Sequence, residues 1–336
     1  MQRLTEKTAI ERRSVLAMLG AAVAAPAAAA RPQTAIRTVA RGLAFPEGVV
    51  TTRDGGLFFV EIAAGRVSRL HPDGRVMPLA RTGGGPNGMT IGADGAIYVA
   101  NNGGLSFSHA GDRWAVAGVP DDYAGGRIQR VDPRTGAATT LYRAAGGNRL
   151  CGPNDILCDA WGGLWFTDTG KIRPRTRDQG GLYWARPDGG EIREIAYPLL
   201  TPNGLALSPD RRTLYVALSD KRQIVAYALT GPGAVEQRSG KPYARVVASP
   251  AGDLSFDNIA VEAGGNIVAT GVRAGVLLTI TPAGDVIETT PLPDPIVTAI
   301  AFGGPDMRTL YAALSGSGQI VALRWPRPGL APLHRL

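Results

Sequence analysis

Cysteine and histidine are scarce in this sequence. Its 336 residues include only two cysteines, Cys151 and Cys158, and three histidines, His71, His109 and His334. Neither cysteine has a partner at the spacing of a zinc site, so a soft-metal centre is not supported. The Gly-x-Ser-x-Gly motif of a serine nucleophile elbow is also missing. These absences argue against both zinc–thiolate chemistry and a serine triad.

The two cysteines are not expected to form a disulfide bond. Seven residue steps separate them, and an extended chain of that length spans up to about 23 Å. A disulfide requires Cα atoms within about 7 Å of each other, so a bridge would need the chain to double back. We expect two separate thiols, with Cys158 facing the core.

The mature part of the chain lacks a sustained helical periodicity. Short runs of β-branched and aromatic residues, bounded by turn residues such as Asp-Gly and Gly-Gly, occur at residues 57–60, 96–99, 164–167 and 213–216. An apolar content of 44% is ample for a packed core. The sequence therefore indicates an all-β domain.

One short phrase recurs and opens each of five similar units. The same position in the phrase is occupied by Glu47, Asn87, Asn154, Asn203 and Asp257, at intervals of 40 to 67 residues. A sixth unit, residues 296–325, contains the strands but no polar residue at that position. Repeats of about 40–50 residues built only from strands are typical of propeller blades. We predict that residues 31–336 form a single six-bladed β-propeller with four strands in each blade.

The last unit supplies only three strands, so closure of the ring needs one more. Residues 36–40, just before the first blade, could supply it and have no other place in the fold. The tail, residues 330–336, is the competing candidate. We favour the N-terminal segment as the outer strand of the last blade.

Residues 1–30 have the features of an export signal. The pair Arg12-Arg13 precedes a run rich in alanine, glycine and leucine, and residues 28–30 are three alanines suited to cleavage. The run is too short and too weakly apolar for a permanent membrane span. We expect a twin-arginine signal peptide and a periplasmic or secreted protein; the alternatives are an uncleaved anchor or a chance arginine pair.

The net charge of +8 does not indicate a nucleic-acid partner. The arginines are scattered through strands and turns and form no basic run, which is typical of ordinary surface charge.

Each blade with a polar residue at the repeated position supplies one side chain that carries an oxygen. The starts of innermost strands converge beside the central channel of a propeller, so Glu47, Asn87, Asn154, Asn203 and Asp257 should meet there. Two carboxylates and three amides suit one hard divalent cation, above all Ca²⁺, which takes six to eight oxygen ligands. Without a cation, Glu47 and Asp257 would raise a carboxyl pKa by mutual repulsion. Each Pro-Asn-Gly phrase taken alone also fits an ordinary turn.

The second strands run back toward the same face and bring Glu61, Asn101, Asp168, Ser219 and Arg273 near the channel. Asp168 is a candidate general base or a supporting carboxylate, and a strand-end turn residue is an equal alternative. Arg273 would meet an anionic substrate or else lie on the surface. The long insertion at residues 103–126, which contains His109, would cover the channel, although an exposed loop histidine is the simpler expectation.

These residues resemble those of the senescence-marker (SMP-30), gluconolactonase and luciferin-regenerating-enzyme family, and more distantly the paraoxonases, over residues 45–325. The resemblance implies a six-bladed propeller with a central divalent metal, usually calcium. It further implies that Glu47 and Asn203 are metal ligands and that Asn154 binds metal or substrate. Asp257 matches an aspartate that ligates the metal and is proposed as the base. The Asp257-Asn258 pair resembles the paraoxonases, in which both residues face the metal.

One position departs from the paraoxonase pattern. Asn87 stands where those enzymes carry a histidine proposed for catalysis, so a histidine-based mechanism is in doubt here. Retention of Glu47, Asn203 and Asp257 argues against the non-hydrolytic branch that resembles strictosidine synthase.

The function predicted from the sequence is metal-dependent hydrolysis of lactones, with a sugar lactone or a related ester as substrate. Asp257 is the predicted base and Asp168 its alternate, while the predicted substrate contacts are Asn87, Asn101, Asn258 and Arg273. The predicted metal ligands are Glu47, Asn154, Asn203 and Asp257, with Zn²⁺, Mn²⁺ or Mg²⁺ as alternatives to Ca²⁺. A monomer or weak oligomer is expected. The competing hypothesis is a non-catalytic periplasmic propeller that binds a sugar, peptide or protein.

Overall fold

The computed structural model describes residues 35–336, which form six four-stranded antiparallel blades around a central channel. Blade 1 consists of Pro46–Thr51, Leu57–Glu61, Arg66–Leu70 and Val76–Arg81, and blade 2 of Pro86–Ile91, Ile97–Asn101, Arg127–Val131 and Ala138–Tyr142. Blade 3 consists of Pro153–Cys158, Leu164–Asp168, Gly180–Ala185 and Ile192–Leu199, and blade 4 of Pro202–Leu207, Thr213–Leu218, Gln223–Gly231 and Ala244–Ala248. Blade 5 consists of Ser255–Val261, Ile267–Val272, Val276–Ile280 and Val286–Pro291. The predicted six-bladed β-propeller is confirmed.

Blade 6 closes the propeller by pairing a strand near the start of the described chain with three strands near its end. Its inner strands are Val297–Gly303, Thr309–Leu314 and Gln319–Arg324, and its outer strand is Ile36–Ala40. The outer strand pairs antiparallel, with Thr38 opposite Val321. The N-terminal strand therefore completes the last blade, as predicted.

The C-terminal tail lies at the end of the channel where the inner strands finish. The Leu330 amide donates to the Val261 carbonyl at 2.8 Å, and the Arg53 amide donates to the carbonyl of Leu336 at 2.7 Å. Val261 ends the inner strand of blade 5, and Arg53 follows the inner strand of blade 1. The tail thus covers the finishing ends of the inner strands and leaves their starting ends open.

The hydrophobic core lies between neighbouring blades. Phe166 of blade 3 packs in one cluster with Tyr98 and Ile128 of blade 2, and the other interfaces are built in the same way. Buried tryptophans in this core have polar partners, since the indole nitrogen of Trp165 donates to Asp159 at 3.0 Å. Because each blade is packed on both faces, the starts of the inner strands are held at fixed positions around the channel.

The two cysteines are separate thiols, as predicted, and Cys158 is buried. Within residues 35–336, no helix has the length and apolar character needed to cross a membrane. The predicted signal peptide, residues 1–30, lies outside the described residues, and export stays a prediction.

The strand pairing in blade 6 predicts an unequal effect of two N-terminal truncations. A chain beginning at residue 35 should keep its melting temperature, whereas a chain beginning at residue 43 loses the outer strand and exposes the edge formed by Gln319–Arg324. We expect the shorter chain to melt several degrees lower in calorimetry. Equal melting temperatures would contradict a structural role for Ile36–Ala40.

Candidate functional site

The starting ends of the inner strands surround a cavity. Two adjoining compartments, of about 370 and 670 Å³, share the side chains of Asn87, Asn154 and Asp257 in their walls. Asn203 lines the smaller compartment and Glu47 lines the larger one. The five repeated polar positions, which we call the ring, therefore face one cavity.

The sixth blade contributes a polar residue that the sequence comparison overlooked. Thr298 lines the larger compartment, but its hydroxyl is bonded to the Ser315 hydroxyl. Thr298 therefore supports blade 6 and Glu47 rather than offering a free oxygen to the cavity, and it also lowers the pKa of Glu47 by a hydrogen bond.

A β-bulge at the start of each inner strand aims the ring residues into the cavity. The register of blade 3 shifts between Pro153 and Ile156, and the other five inner strands show equivalent shifts at their first residues. A bulge redirects one side chain relative to the regular alternation of a strand. The repeated phrase in the sequence is thus the signature of a repeated bulge.

Neighbouring inner strands approach so closely that three ring residues must be followed by glycine, at Gly48, Gly88 and Gly204. A Cβ atom at Gly48 would lie 2.3 Å from the Asn87 carbonyl oxygen, and one at Gly204 would lie 2.5 Å from the Asp257 carbonyl oxygen. Gly48 also has a φ of +52°, which L side chains rarely adopt. These contacts hold the ring oxygens of adjacent blades at short range.

Burial changes the acidity of both ring carboxyl groups. Burial first, and then the charge of Asp257, raises the pKa of Glu47 well above its usual range. Burial and the nearby charge of Asp155 raise the pKa of Asp257 to about 7. Two buried carboxyl groups that repel each other are an unfavourable arrangement unless a proton or a cation lies with them.

Asp155 is a third buried carboxylate, and sequence reasoning did not single it out. Its side chain accepts hydrogen bonds from the amides of Leu205 at 2.8 Å and Ile156 at 2.9 Å, and from the Asn258 amide group at 3.1 Å. The Asn258 oxygen in turn accepts from the Ile300 amide at 3.1 Å. These bonds link blades 3, 4, 5 and 6. Burial raises the pKa of Asp155 to about 6.

This network gives Asn258, a predicted substrate contact, a structural role. Both ends of its side chain are used inside the propeller, and it is not among the residues that line either compartment. Asn258 braces the inner strands of blades 3, 5 and 6. Successive residues of a strand point in opposite directions. Asp257 therefore lines the cavity whereas its neighbour Asn258 does not, although the two form a pair in the sequence.

Asn101 and Asp168 also have structural roles. The Asn101 oxygen accepts from the amides of Gly85 and Gly103, each at 3.0 Å, and its amide group donates to Gly83 and Gln129. It is fully buried and has no bonding capacity left for a substrate, which overturns its predicted substrate contact.

Asp168 binds the backbone around the end of its strand. Its carboxylate accepts from the amides of Cys151 and Gly152 at 2.7 Å and of Gly170 at 2.8 Å. Both oxygens are occupied, and the residue does not line the cavity, so the alternate base proposed from the sequence is not supported. Glu61 is similar, since it binds Arg66 and Ser68 in its own blade.

Arg273 and Ser219 do face the smaller compartment. The Ser219 hydroxyl donates to the Phe256 carbonyl at 2.6 Å and accepts from the Asn203 amide group at 3.2 Å, which turns the Asn203 oxygen away from Ser219. Arg273 has a left-handed backbone with a φ of +73° and pairs with Asp253 at 2.9 Å.

The insertion in blade 2 forms a hairpin, Ser106–Ala110 and Arg113–Gly118, whose residues wall the cavity. Val116 and the preceding Leu105 line both compartments. The Trp114 amide donates to the Gly316 carbonyl of blade 6 at 2.8 Å, so the hairpin reaches across from blade 2. His109 lies exposed against Trp114 and outside the cavity wall, in line with the simpler expectation for it.

Lys171 is a further cavity residue that sequence reasoning missed. It follows the second strand of blade 3, is buried, and lines the smaller compartment. No motif marks it, because a single lysine after a strand normally lies on the surface. Its burial depends on the hairpin-bearing loop of blade 2, a contact that local sequence does not reveal.

The described residues contain no cluster of three or more His, Cys, Asp or Glu side chains of the kind that alone holds a metal. The ring differs from such a cluster in composition, because three of its five members are asparagines. Any cation bound there would depend on amide oxygens as well as on Glu47 and Asp257.

Comparison with known proteins finds relatives that are named as lactonases. The chain is 28% identical over 229 residues to a gluconolactonase of Zymomonas mobilis, covering 61% of this chain and 58% of that protein. It is 28% identical over 246 residues to a 6-deoxy-6-sulfogluconolactonase of Pseudomonas putida, covering 62% of this chain and 83% of the relative. The matched region thus spans little more than half of the Zymomonas protein.

A solved structure shares the fold. The calcium-binding protein regucalcin from Agrobacterium tumefaciens superposes with a TM-score of 0.68 at 20% identity, covering 90% of this chain and 98% of that one. The model of the SMP-30/gluconolactonase/LRE-like region matches residues 45–315, which include the whole ring. The chain belongs to the SMP-30/gluconolactonase/LRE-like family.

Proposed function

We propose that this protein is a metal-dependent hydrolase that opens lactone rings. The observation that carries the proposal is the ring, in which two buried carboxylates and three asparagines face one cavity. Cavities of about 300–1,000 Å³ accommodate small organic ligands, and both compartments fall in that range. The lactonase names of the relatives support the same reaction class.

The donor set fits a hard divalent cation. Glu47, Asn154, Asn203 and Asp257 offer oxygen atoms on one cavity, and the Asn203 amide group is held by Ser219 so that its oxygen is left for a ligand. The mutual repulsion of Glu47 and Asp257 would be relieved by a positive charge between them. Oxygen donors of this mixed type favour Ca²⁺. Such an ion would polarise the lactone carbonyl and stabilise the negative charge that develops on its oxygen.

Asp257 is the residue of the ring best suited to act on water. Its side chain lines both compartments, whereas Asp155 is held by three hydrogen bonds and Asp168 by backbone amides. We assign Asp257 the role of general base, which takes a proton from the water whose oxygen adds to the lactone carbonyl. The ring C–O bond then breaks, and the departing alkoxide takes the proton that Asp257 received from water. The hairpin side chains Leu105 and Val116 limit access of bulk water.

Asp257 lines the cavity whereas Asp168 binds backbone amides, so substitution of the first should affect catalysis and substitution of the second should affect stability. Asp257→Asn removes the base but keeps an oxygen, so kcat for lactone hydrolysis should fall about 10²- to 10⁴-fold at saturating metal. Asp168→Asn leaves a backbone amide without its charged acceptor, so it should lower the melting temperature and leave kcat near the parent value. Steady-state kinetics and calorimetry of both variants distinguish the roles.

Metal content must be measured in the same samples by elemental analysis. If Asp257→Asn holds a full equivalent of metal and hydrolyses lactone at the parent rate, Asp257 is a ligand and not the base. If the parent binds metal but opens no lactone, the non-catalytic binding propeller becomes the better account.

The raised pKa values predict an unusual dependence of stability on pH for metal-free protein. Folded Asp257 keeps its proton up to about pH 7, while the same carboxyl group in the unfolded chain loses it near pH 4. The folded state therefore binds more protons in that window, and stability is lost as pH rises from about 4 to 7. Saturating Ca²⁺ should flatten this fall.

Thermal denaturation across the window measures the effect. Glu47→Gln removes one of the repelling charges, so the metal-free variant should lose less stability than the parent as pH rises. A metal-free parent whose melting temperature climbs from pH 4 to 7 would contradict the proposed electrostatics of the ring.

A further inference from the structure

A buried lysine lies beside the ring without a carboxylate to balance it. Lys171 is 3% exposed, and its Nζ donates to the Gly104 carbonyl at 2.7 Å and to the Asn102 side-chain oxygen at 3.3 Å. Both acceptors are neutral. An ammonium group carries three donors, so one remains after these two bonds, and the Tyr123 ring centre lies 5.2 Å from Nζ. Among residues 35–336, no ion pair joins Lys171 to a carboxylate.

The nearest acid does not neutralise this charge by contact. Asp168 raises the pKa of Lys171 through its field, but its oxygens are taken by the amides of Cys151, Gly152 and Gly170. Asp178 acts on Lys171 in the same direction, but its carboxylate binds the Lys171 backbone amide and Arg173. Burial is the larger effect and lowers the pKa of Lys171 to about 8. Burying a cation without an ionic partner is costly. Such a group in a cavity wall is suited to binding an anion.

A second positively charged side chain, that of Arg273 in blade 5, lines the same compartment. The Arg273 side chain is 53% exposed, and its partner Asp253 is 88% exposed, so water screens that pair strongly. Arg273 also keeps a left-handed backbone, a strained conformation for a residue with a side chain. Strain of this kind is often found where a side chain is positioned for function.

The charges of the compartment favour an anionic ligand once a metal is present. A divalent cation would balance Glu47 and Asp257, whereas nothing in the wall balances Lys171 by contact. Val119, Ile172 and Val272 supply an apolar wall between the charged groups. Charge-assisted hydrogen bonds in a cavity of this kind are stronger than neutral ones.

We propose that Lys171 and Arg273 form an anion subsite, and that the substrate is a lactone carrying a carboxylate outside the ring that is opened. This proposal rests on the proposed lactonase function and names its substrate class. The ring residues act at the lactone carbonyl, and the two cations hold the carboxylate.

The test uses two lactones that differ in a single group. The γ-lactones of gluconic acid and glucaric acid, each closed at the first carbon, differ only in a hydroxymethyl or carboxylate at the sixth. In the metal-loaded protein, Lys171→Met should reduce kcat/KM for the glucaric lactone about 10- to 100-fold, mainly through KM. Its kcat/KM for the gluconic lactone should change less than about threefold.

An exposed residue gives a second variant that does not depend on packing. Arg273→Gly suits the left-handed backbone and should also weaken hydrolysis of the glucaric lactone selectively. Arg222→Gly is the matched control, because Arg222 is exposed, has a φ of +54° and does not line the cavity. It should leave both lactones unaffected.

Failure of the subsite and failure of the lactonase proposal give different results. Equal losses on both lactones in Lys171→Met and Arg273→Gly, or no loss, would show that Lys171 only holds the loop at Asn102–Gly104 and would overturn the subsite. If the parent opens neither lactone, calorimetric binding of open-chain glucarate decides the matter. Binding that Lys171→Met weakens supports the anion subsite without the reaction, and absence of binding by the parent overturns it.

Discussion

The repulsion between two buried carboxyl groups is the constraint on which the site depends. Glu47 of blade 1 and Asp257 of blade 5 come from distant parts of the chain, and the propeller brings them to one cavity. Burial raises the pKa of both groups, and the charge of Asp257 raises the pKa of Glu47 further. A folded state that contains such a pair is less stable at neutral pH unless a cation offsets the two negative charges. The whole architecture can be understood as the support that holds this pair in place.

That support consists of tightly packed inner strands and a buried polar brace. Bulges turn the ring side chains inward, and Gly48 and Gly204 allow the strands to approach. In blades 3 and 5 the corresponding positions hold Asp155 and Asn258, whose side chains bond to each other and to neighbouring backbones. The outer strand Ile36–Ala40 closes the circle, so the ring cannot spread without breaking blade 6.

The repeat in the sequence was enough to predict the fold and the members of the ring. The local geometry of each blade produces a regular repeat of strands with a polar residue at a constant position. Glu47, Asn203 and Asp257 could be located from that repeat. The side-chain partners could not be predicted in this way. Asn101 and Asp168 end their strands as expected, but their side chains turn to backbone amides that come from the preceding loops. Lys171 and Asp155 act through contacts with other blades, and those contacts leave no local pattern.

We expect one cation both to stabilise the ring and to enable lactone hydrolysis. The most direct measurement titrates Ca²⁺ into metal-stripped protein and follows melting temperature and the rate of lactone hydrolysis in parallel, with Mg²⁺, Mn²⁺ and Zn²⁺ as comparisons. Stability and activity should rise together with one half-saturating concentration, because a ligand of the native state stabilises it by mass action. Full hydrolytic activity in stripped protein, or a rise in stability with no turnover of any lactone, would contradict this expectation.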